Sequence, residues 1–147
     1  YRGEVVAGVI HHPALKTTLW AAKGLGCYVD GKRARVSRIP NLRGGTLTYG
    51  GIRLVPPAKR KKLTDLIDRA YDDRGFGDCF GHALVIQGMT EAVVDPVVQP
   101  YDVAAIQICV EEAGGKFTDL KGDRTIRGGN ALSSNGLVHA EILKGLK

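Results

Sequence analysis

Asp102 follows Pro100-Tyr101 and precedes Val103, Ile106, Val110 and Ala113, apolar residues at helical spacing that continue until Gly114-Gly115 ends the run. A carboxylate at a helix start, carried there by an extended arm, can point into a shared cleft. An oxygen ligand in such a cleft suits a hard cation such as magnesium. The same position suits a helix cap, in which the carboxylate accepts a hydrogen bond from a nearby backbone amide. The residues by themselves favour the cap. His11 and His12 are adjacent on an expected strand and so face opposite sides, which excludes a shared metal unless the strand bulges. His82 lies four residues after Asp78, on the same expected helix face, where a local hydrogen bond is favoured over ligation. His139 has no evident partner. Cys27, Cys79 and Cys109 are odd in number, widely spaced and without a CxxC pair, so neither a disulfide framework nor a zinc site is indicated, and a reducing cytoplasm is the default location.

The elements that must position these residues follow from the pattern of the chain. Short strands are expected over Glu4 to His11, Thr17 to Ala22, Cys27 to Val29 and Arg33 to Val36, with Asp30-Gly31 as a hairpin turn. Thr46 to Tyr49 is a further strand, ended by Gly50-Gly51, and Pro56-Pro57 opens a helix, since proline suits the first helical turn. The rest alternates: Asp78 to Gln87 helical, Glu91 to Asp95 extended, Asp102 to Ala113 helical, Lys116 to Asp119 extended, Ala131 to Ser134 extended, then a closing helix from Leu137 to about Leu146. This order predicts an α/β chain of the layered sandwich kind, a mixed sheet packed by helices. Glycine, at 20 residues, is the one compositional bias, and Gly24-Leu25-Gly26 reads as a strand turn rather than a phosphate loop.

The 147 residues, 44% hydrophobic and 24% charged, suit one compact domain over residues 1 to 147. No stretch approaches the roughly 18 to 20 apolar residues of a membrane span, and no partnership with a membrane is expected. The net charge of +6 raises the question of a polyanionic partner, and Lys59, Arg60, Lys61 and Lys62 are the densest basic cluster. They open a helical segment whose apolar stripe is Leu63, Leu66, Ile67 and Ala70, so they read as a solvated helix face. No aromatic residues interleave with them, and nucleic acid is not expected as a partner.

The string YDVAAIQICVEEAGGKFTDLKG around Asp102 closely resembles the second signature of the inositol-monophosphatase family, in which an aromatic residue and Asp precede small residues and a helix closing on EAGG. Gly3 to Ile10 with Pro13, then Ala22 to Cys27, is similar to that family's central strand meander, and Ala131 to Asn135 with the closing helix looks like its C-terminal end. The resemblance implies the C-terminal part of that fold, with Asp102 as a metal ligand and Mg2+ as cofactor. It implies hydrolysis of a small phosphate monoester by metal-activated water. The family's first signature, a DPxDGT-like loop, and its upstream Glu do not occur here. The expectation is therefore a C-terminal part without most of the metal ligands, in which no catalytic residue is identified and which is inactive or nearly so alone.

Arg74-Gly75-Phe76-Gly77-Asp78 followed by His82 is similar to the family's substrate-lining segment and most resembles its histidinol-phosphatase branch. That resemblance implies substrate binding by Asp78, Arg74 and Gly77, and by Asp95, which stands seven residues before Asp102 where family members hold an acidic contact. An added carboxylate makes chemical sense for histidinol phosphate, which carries an ammonium and an imidazole where inositol offers only hydroxyls. Bland alternatives stand beside each: a helix N-cap for Asp78, a turn residue before Pro96 for Asp95, and a surface pair with Asp72 or Asp73 for Arg74. Inositol monophosphate or another sugar phosphate is the second substrate expectation. A non-catalytic anion-binding module is the rival function, and a homodimer is the expected assembly.

Overall fold

The computed structural model describes all of residues 1–147. Strands β1 (Ala7–His12), β2 (Thr17–Ala22), β3 (Gly26–Val29) and β4 (Lys32–Arg33) form an antiparallel sheet in sequence order. Asp30 and Gly31 both take positive φ between β3 and β4, as a two-residue hairpin with matching twist requires. The second sheet is mixed, in the order β6 (Asp72–Arg74), β5 (Thr46–Tyr49), β7 (Ala92–Asp95), β9 (Ala131–Ser134), β8 (Lys116–Thr118). Strands β6, β5 and β7 run parallel, while β9 is antiparallel to both β7 and β8. The expected α/β layering is present.

Helices α1 (Pro57–Ile67), α2 (Asp78–Ile86), α3 (Pro100–Glu112) and α4 (His139–Leu146) complete the layers. Helix α3 contacts β1, β2 and β3 on one side and β8 and β9 on the other, and it packs beside α2, so this pair fills the space between the sheets. Helix α1 packs on α4 across the far face of the mixed sheet. Two cores follow from the period of two along each strand. Ala92 and Val94 of β7 join Leu47, Leu63, Leu66, Leu132 and Ile142 in the outer core. The inner core holds Ile10, Leu19, Ile86, Ile106, Val110 and Phe117. Burial of α3 on both sides explains why Val103, Ile106, Gln107, Ile108, Cys109 and Val110 are all buried, with no polar stripe.

Gly8 lets α3 lie directly on β1. A Cβ at Gly8 would come within 2.7 Å of the Ala105 Cα, a contact with backbone that cannot swing aside. The C-terminal end of α3 is tied to the same sheet by Glu112, whose two carboxylate oxygens accept from the Gly24 and Gly26 amides at 2.8 Å each. The Gly24-to-Gly26 turn is thus fixed by a residue 86 to 88 positions away.

Several boundaries differ from expectation. The first strand begins at Ala7 rather than Glu4, and Arg33 to Val36 reduces to a two-residue strand at Lys32–Arg33. Asp72–Arg74, three charged residues with no apolar alternation, nonetheless pairs in parallel with β5 as an edge strand. The basic cluster of α1 is largely exposed, with Lys61 paired to Asp65 one turn on. No helix is long and apolar enough to cross a membrane.

Candidate functional site

Strands β5 and β7 end side by side, with the Gly50 amide donating to the Val94 carbonyl at 2.9 Å. Open α/β sheets bind ligands outside the carboxyl ends of such parallel strands. Here that place is a cavity of about 310 Å³ lined by Asp78, Cys79, His82, Asp95, Val97, Val98, Asp102, Val103 and Ile106. Asp95 comes from the end of β7, Asp78 from the first residue of α2, and Asp102 from the first turn of α3. Three carboxylates that the sequence spaces over 25 residues therefore meet at one opening.

Asp102 caps its helix, although the N-cap itself is Gln99. The aspartate is the third residue of α3, and its Oδ2 accepts from the Gln99 amide at 2.8 Å, closing the helix start. No protein donor is recorded for the other oxygen, and the residue is exposed at the cavity mouth. Asp78 is the first residue of α2 rather than its N-cap, which is Gly77. It takes φ +53, a left-handed conformation that costs a non-glycine residue and that clusters at functional sites. This turn aims the Asp78 amide at Asp95 Oδ2, 2.8 Å away. Gly77 lies outside the cavity lining and does a different job: a Cβ there would overlap the Gly50 Cα, so the two glycines make room for the Asp95 carboxylate between them. Arg74 also lies outside the lining and pairs with Asp72 at 2.5 Å on the surface.

The buried polar residues around the cavity were the hardest to foresee. His82 has no hydrogen bond to Asp78; its Nδ1 lies 2.7 Å from Ser133 Oγ on β9 and its Nε2 is 3.3 Å from Asp95 Oδ2. Nothing local announces a pair 51 residues apart, although the period of two along β9 puts Ser133 on the inner face opposite Val93. His139 has partners after all, Ser134 Oγ at 2.7 Å and Thr118 Oγ1 at 2.9 Å, but on the outer face of the sheet and away from the cavity. Cys79 lines the cavity, and burial, with the Asp78 charge beside it, pushes its thiol above the ordinary value. A thiol held in its protonated form is a poor nucleophile, which argues against cysteine-based phosphoryl transfer here.

The lining holds three carboxylates and no lysine or arginine, in a chain whose net charge is +6. Such a cavity can hold a cation directly, and an anion only when a cation is bound with it. The free oxygen of Asp102 has the right chemistry for a hard metal. No group of three or more histidine, cysteine, aspartate or glutamate side chains is placed to hold an ion.

The sequence profile of the inositol monophosphatase family matches residues 1–146. A histidinol-phosphatase of Mycobacterium tuberculosis is 36% identical over 147 residues, covering 96% of this chain and 56% of the relative. A fructose-1,6-bisphosphatase/inositol-1-monophosphatase of Thermotoga maritima is 34% identical, covering 97% and 55%. Among solved structures, a Thermotoga maritima IMPase superposes with a TM-score of 0.84 at 34% identity, covering 98% of this chain and 56% of that one. The chain thus spans about half the length of the relatives it matches.

Proposed function

This chain belongs to the inositol monophosphatase family, and from that premise we propose that it forms the C-terminal, substrate-side part of a magnesium-dependent phosphomonoesterase acting on histidinol phosphate. The observation that carries the proposal is the cavity wall: three carboxylates, no lysine or arginine, and an apolar side formed by Val97, Val98, Val103 and Ile106. A phosphate ester enters an acidic cavity only with a divalent cation to neutralise it, and Asp102 supplies one oxygen for that ion. When bound, the cation lowers the pKa of water and offsets charge on the phosphoryl oxygens. Asp78 and Asp95 then face the alcohol part of the substrate. An ammonium or imidazolium gains charge-assisted hydrogen bonds from them, where a neutral polyol gains only ordinary ones.

In this reading the remaining metal ligands come from a part of the enzyme outside these 147 residues. One carboxylate leaves magnesium mostly water-bound and weakly held, so the chain alone releases little or no phosphate. A polyol phosphate such as inositol monophosphate is the second reading, favoured by the 34% identity to the Thermotoga maritima enzyme. The anion-binding module is disfavoured by the cavity's negative charge. The proposal also includes a cytoplasmic location and a homodimer, the latter checked by light scattering.

The test compares magnesium-dependent phosphate release from histidinol phosphate and inositol 1-phosphate, using the gene product with any coding sequence that precedes this chain. Preference for histidinol phosphate that is lost in Asp95→Asn supports the reading. Equal turnover of both substrates by the unsubstituted enzyme, unchanged in Asp95→Asn, rejects the substrate assignment.

A further inference from the structure

Ser133, His82 and Asp95 form a buried line from the middle of β9, through α2, to the end of β7. We infer that His82 is a positioning residue that fixes the Asp95 carboxylate and thereby sets the cavity's demand for a cationic substrate group. The inference rests on the reading of Asp95 as a substrate contact.

All three side chains are withdrawn from solvent, with His82 and Ser133 at 0% and Asp95 at 3% exposure. A neutral imidazole carries one N–H. Asp95 Oδ2 can only accept, and a ring lone pair facing it at 3.3 Å would be repelled, so the proton belongs on Nε2. Nδ1 is then the acceptor, and the Ser133 hydroxyl, 2.7 Å away with no other partner, is its donor. The ring is thus held from behind by serine and presents its N–H to aspartate. That N–H lies off the line of a straight hydrogen bond and has no alternative acceptor. Asp95 is the group that can satisfy it by a small rotation.

The two oxygens of Asp95 consequently have separate duties. Oδ2 receives the Asp78 amide at 2.8 Å and faces His82. Oδ1 rests against Gly50, where any side chain would overlap it, and takes no hydrogen bond from the protein. An ionised carboxylate with one oxygen pinned and the other free is arranged to accept from a ligand, most strongly from a charged donor. The Asp78 amide is the one hydrogen bond that Oδ2 accepts, so without the His82 ring 3.3 Å away nothing on that side limits rotation of the carboxylate plane. Small misplacements of this kind are costly to binding and reaction alike.

Two substitutions separate the roles of the ring. In His82→Gln the side-chain amide can place its N–H where Nε2–H stands, while in His82→Asn it reaches only as far as Nδ1, keeping Ser133 and losing Asp95. Steady-state kinetics on the whole enzyme should show KM for histidinol phosphate raised about ten- to a hundredfold in His82→Asn, with kcat changed little. His82→Gln should restore most of that loss, and KM for inositol 1-phosphate should move far less in either variant. Equal losses on both substrates, or a fall in kcat without a change in KM, would mark His82 as merely structural and overturn the inference. Ring 15N shifts of the 147-residue chain give an independent reading. They should report His82 as the Nε2–H tautomer, and an Nδ1–H tautomer overturns the inference whatever the enzyme turns over. An unsubstituted enzyme inert on both phosphates, with the Nε2–H tautomer present, instead rejects the phosphatase reading and takes the substrate part of the inference with it.

Discussion

Acid should weaken this fold through His139. The ring is 1% exposed, bonded to Thr118 Oγ1 at 2.9 Å and to Ser134 Oγ at 2.7 Å. The Thr118 hydroxyl donates to the Asp119 carbonyl at 2.7 Å, so it accepts from Nε2–H. Ser134 Oγ accepts from the Gly136 amide at 3.0 Å and gives its proton to Nδ1. Both ring nitrogens are therefore matched only in the neutral state. A proton on Nδ1 would face the Ser134 hydroxyl proton and leave that hydroxyl with no buried acceptor. Burial, with the Lys116 charge adding to it, lowers the pKa from 6.5 to about 4. Folded and unfolded chains both hold the neutral ring above pH 6.5. As pH falls below that value the unfolded chain takes up a proton that the folded one refuses, and stability is lost until pH passes the folded value. The difference between 6.5 and about 4 corresponds to roughly 3 kcal/mol in full, and most of it is lost by pH 4.5. Urea unfolding at pH 7 and pH 4.5 reads this loss, and His139→Leu isolates it from the carboxylates that titrate in the same range. The substituted chain should lose roughly 2 to 3 kcal/mol less than the parent between the two pH values. Equal losses would refute the assignment of the acid sensitivity to this ring.

Other consequences are local. Gly8→Ala places a methyl against the Ala105 backbone and should lower stability by about 1–3 kcal/mol in thermal unfolding, with the secondary structure retained. Glu112→Ala removes the acceptor of two turn amides. It should speed hydrogen exchange at Gly24 and Gly26 while leaving the β7 amides protected, and unchanged exchange at those glycines would contradict the contact. Asp102→Asn keeps an oxygen for the Gln99 amide, so stability should change by less than about 1 kcal/mol, whereas Asp102→Ala should cost about 1 kcal/mol through the lost cap.

Much of the arrangement was legible because the local signals were strong. Thr17–Ala22 and Ala131–Ser134 begin and end as read, and the positions of Asp78, Asp95 and Asp102 at element ends could be placed from helix starts and a proline. Asp72–Arg74 escaped because an edge strand of charged residues has no apolar period to reveal it. Two carboxylates that hold distant backbone amides escaped for another reason. Glu91 and Glu112 accept from backbone amides 45 and 88 residues away, at Thr46 and Gly24, and such spacing leaves no trace in a local pattern. Glu112 and Asp119 sit within the same signature string as Asp102, yet they hold turns while Asp102 faces the cavity. Motif membership alone does not separate these duties; the register of the surrounding strands does. His82 is the clearest case, since its partners Ser133 and Asp95 come from neighbouring strands that meet only in the folded sheet.

In the proposed function, Asp102 holds the cation that admits phosphate to an otherwise acidic cavity. The most direct measurement is magnesium-dependent phosphate release from histidinol phosphate by the whole gene product, with and without Asp102→Asn, beside an unfolding curve for each. The substitution should abolish metal-dependent turnover at nearly unchanged stability. Undiminished release by Asp102→Asn, with the same dependence on magnesium, would contradict that role for Asp102.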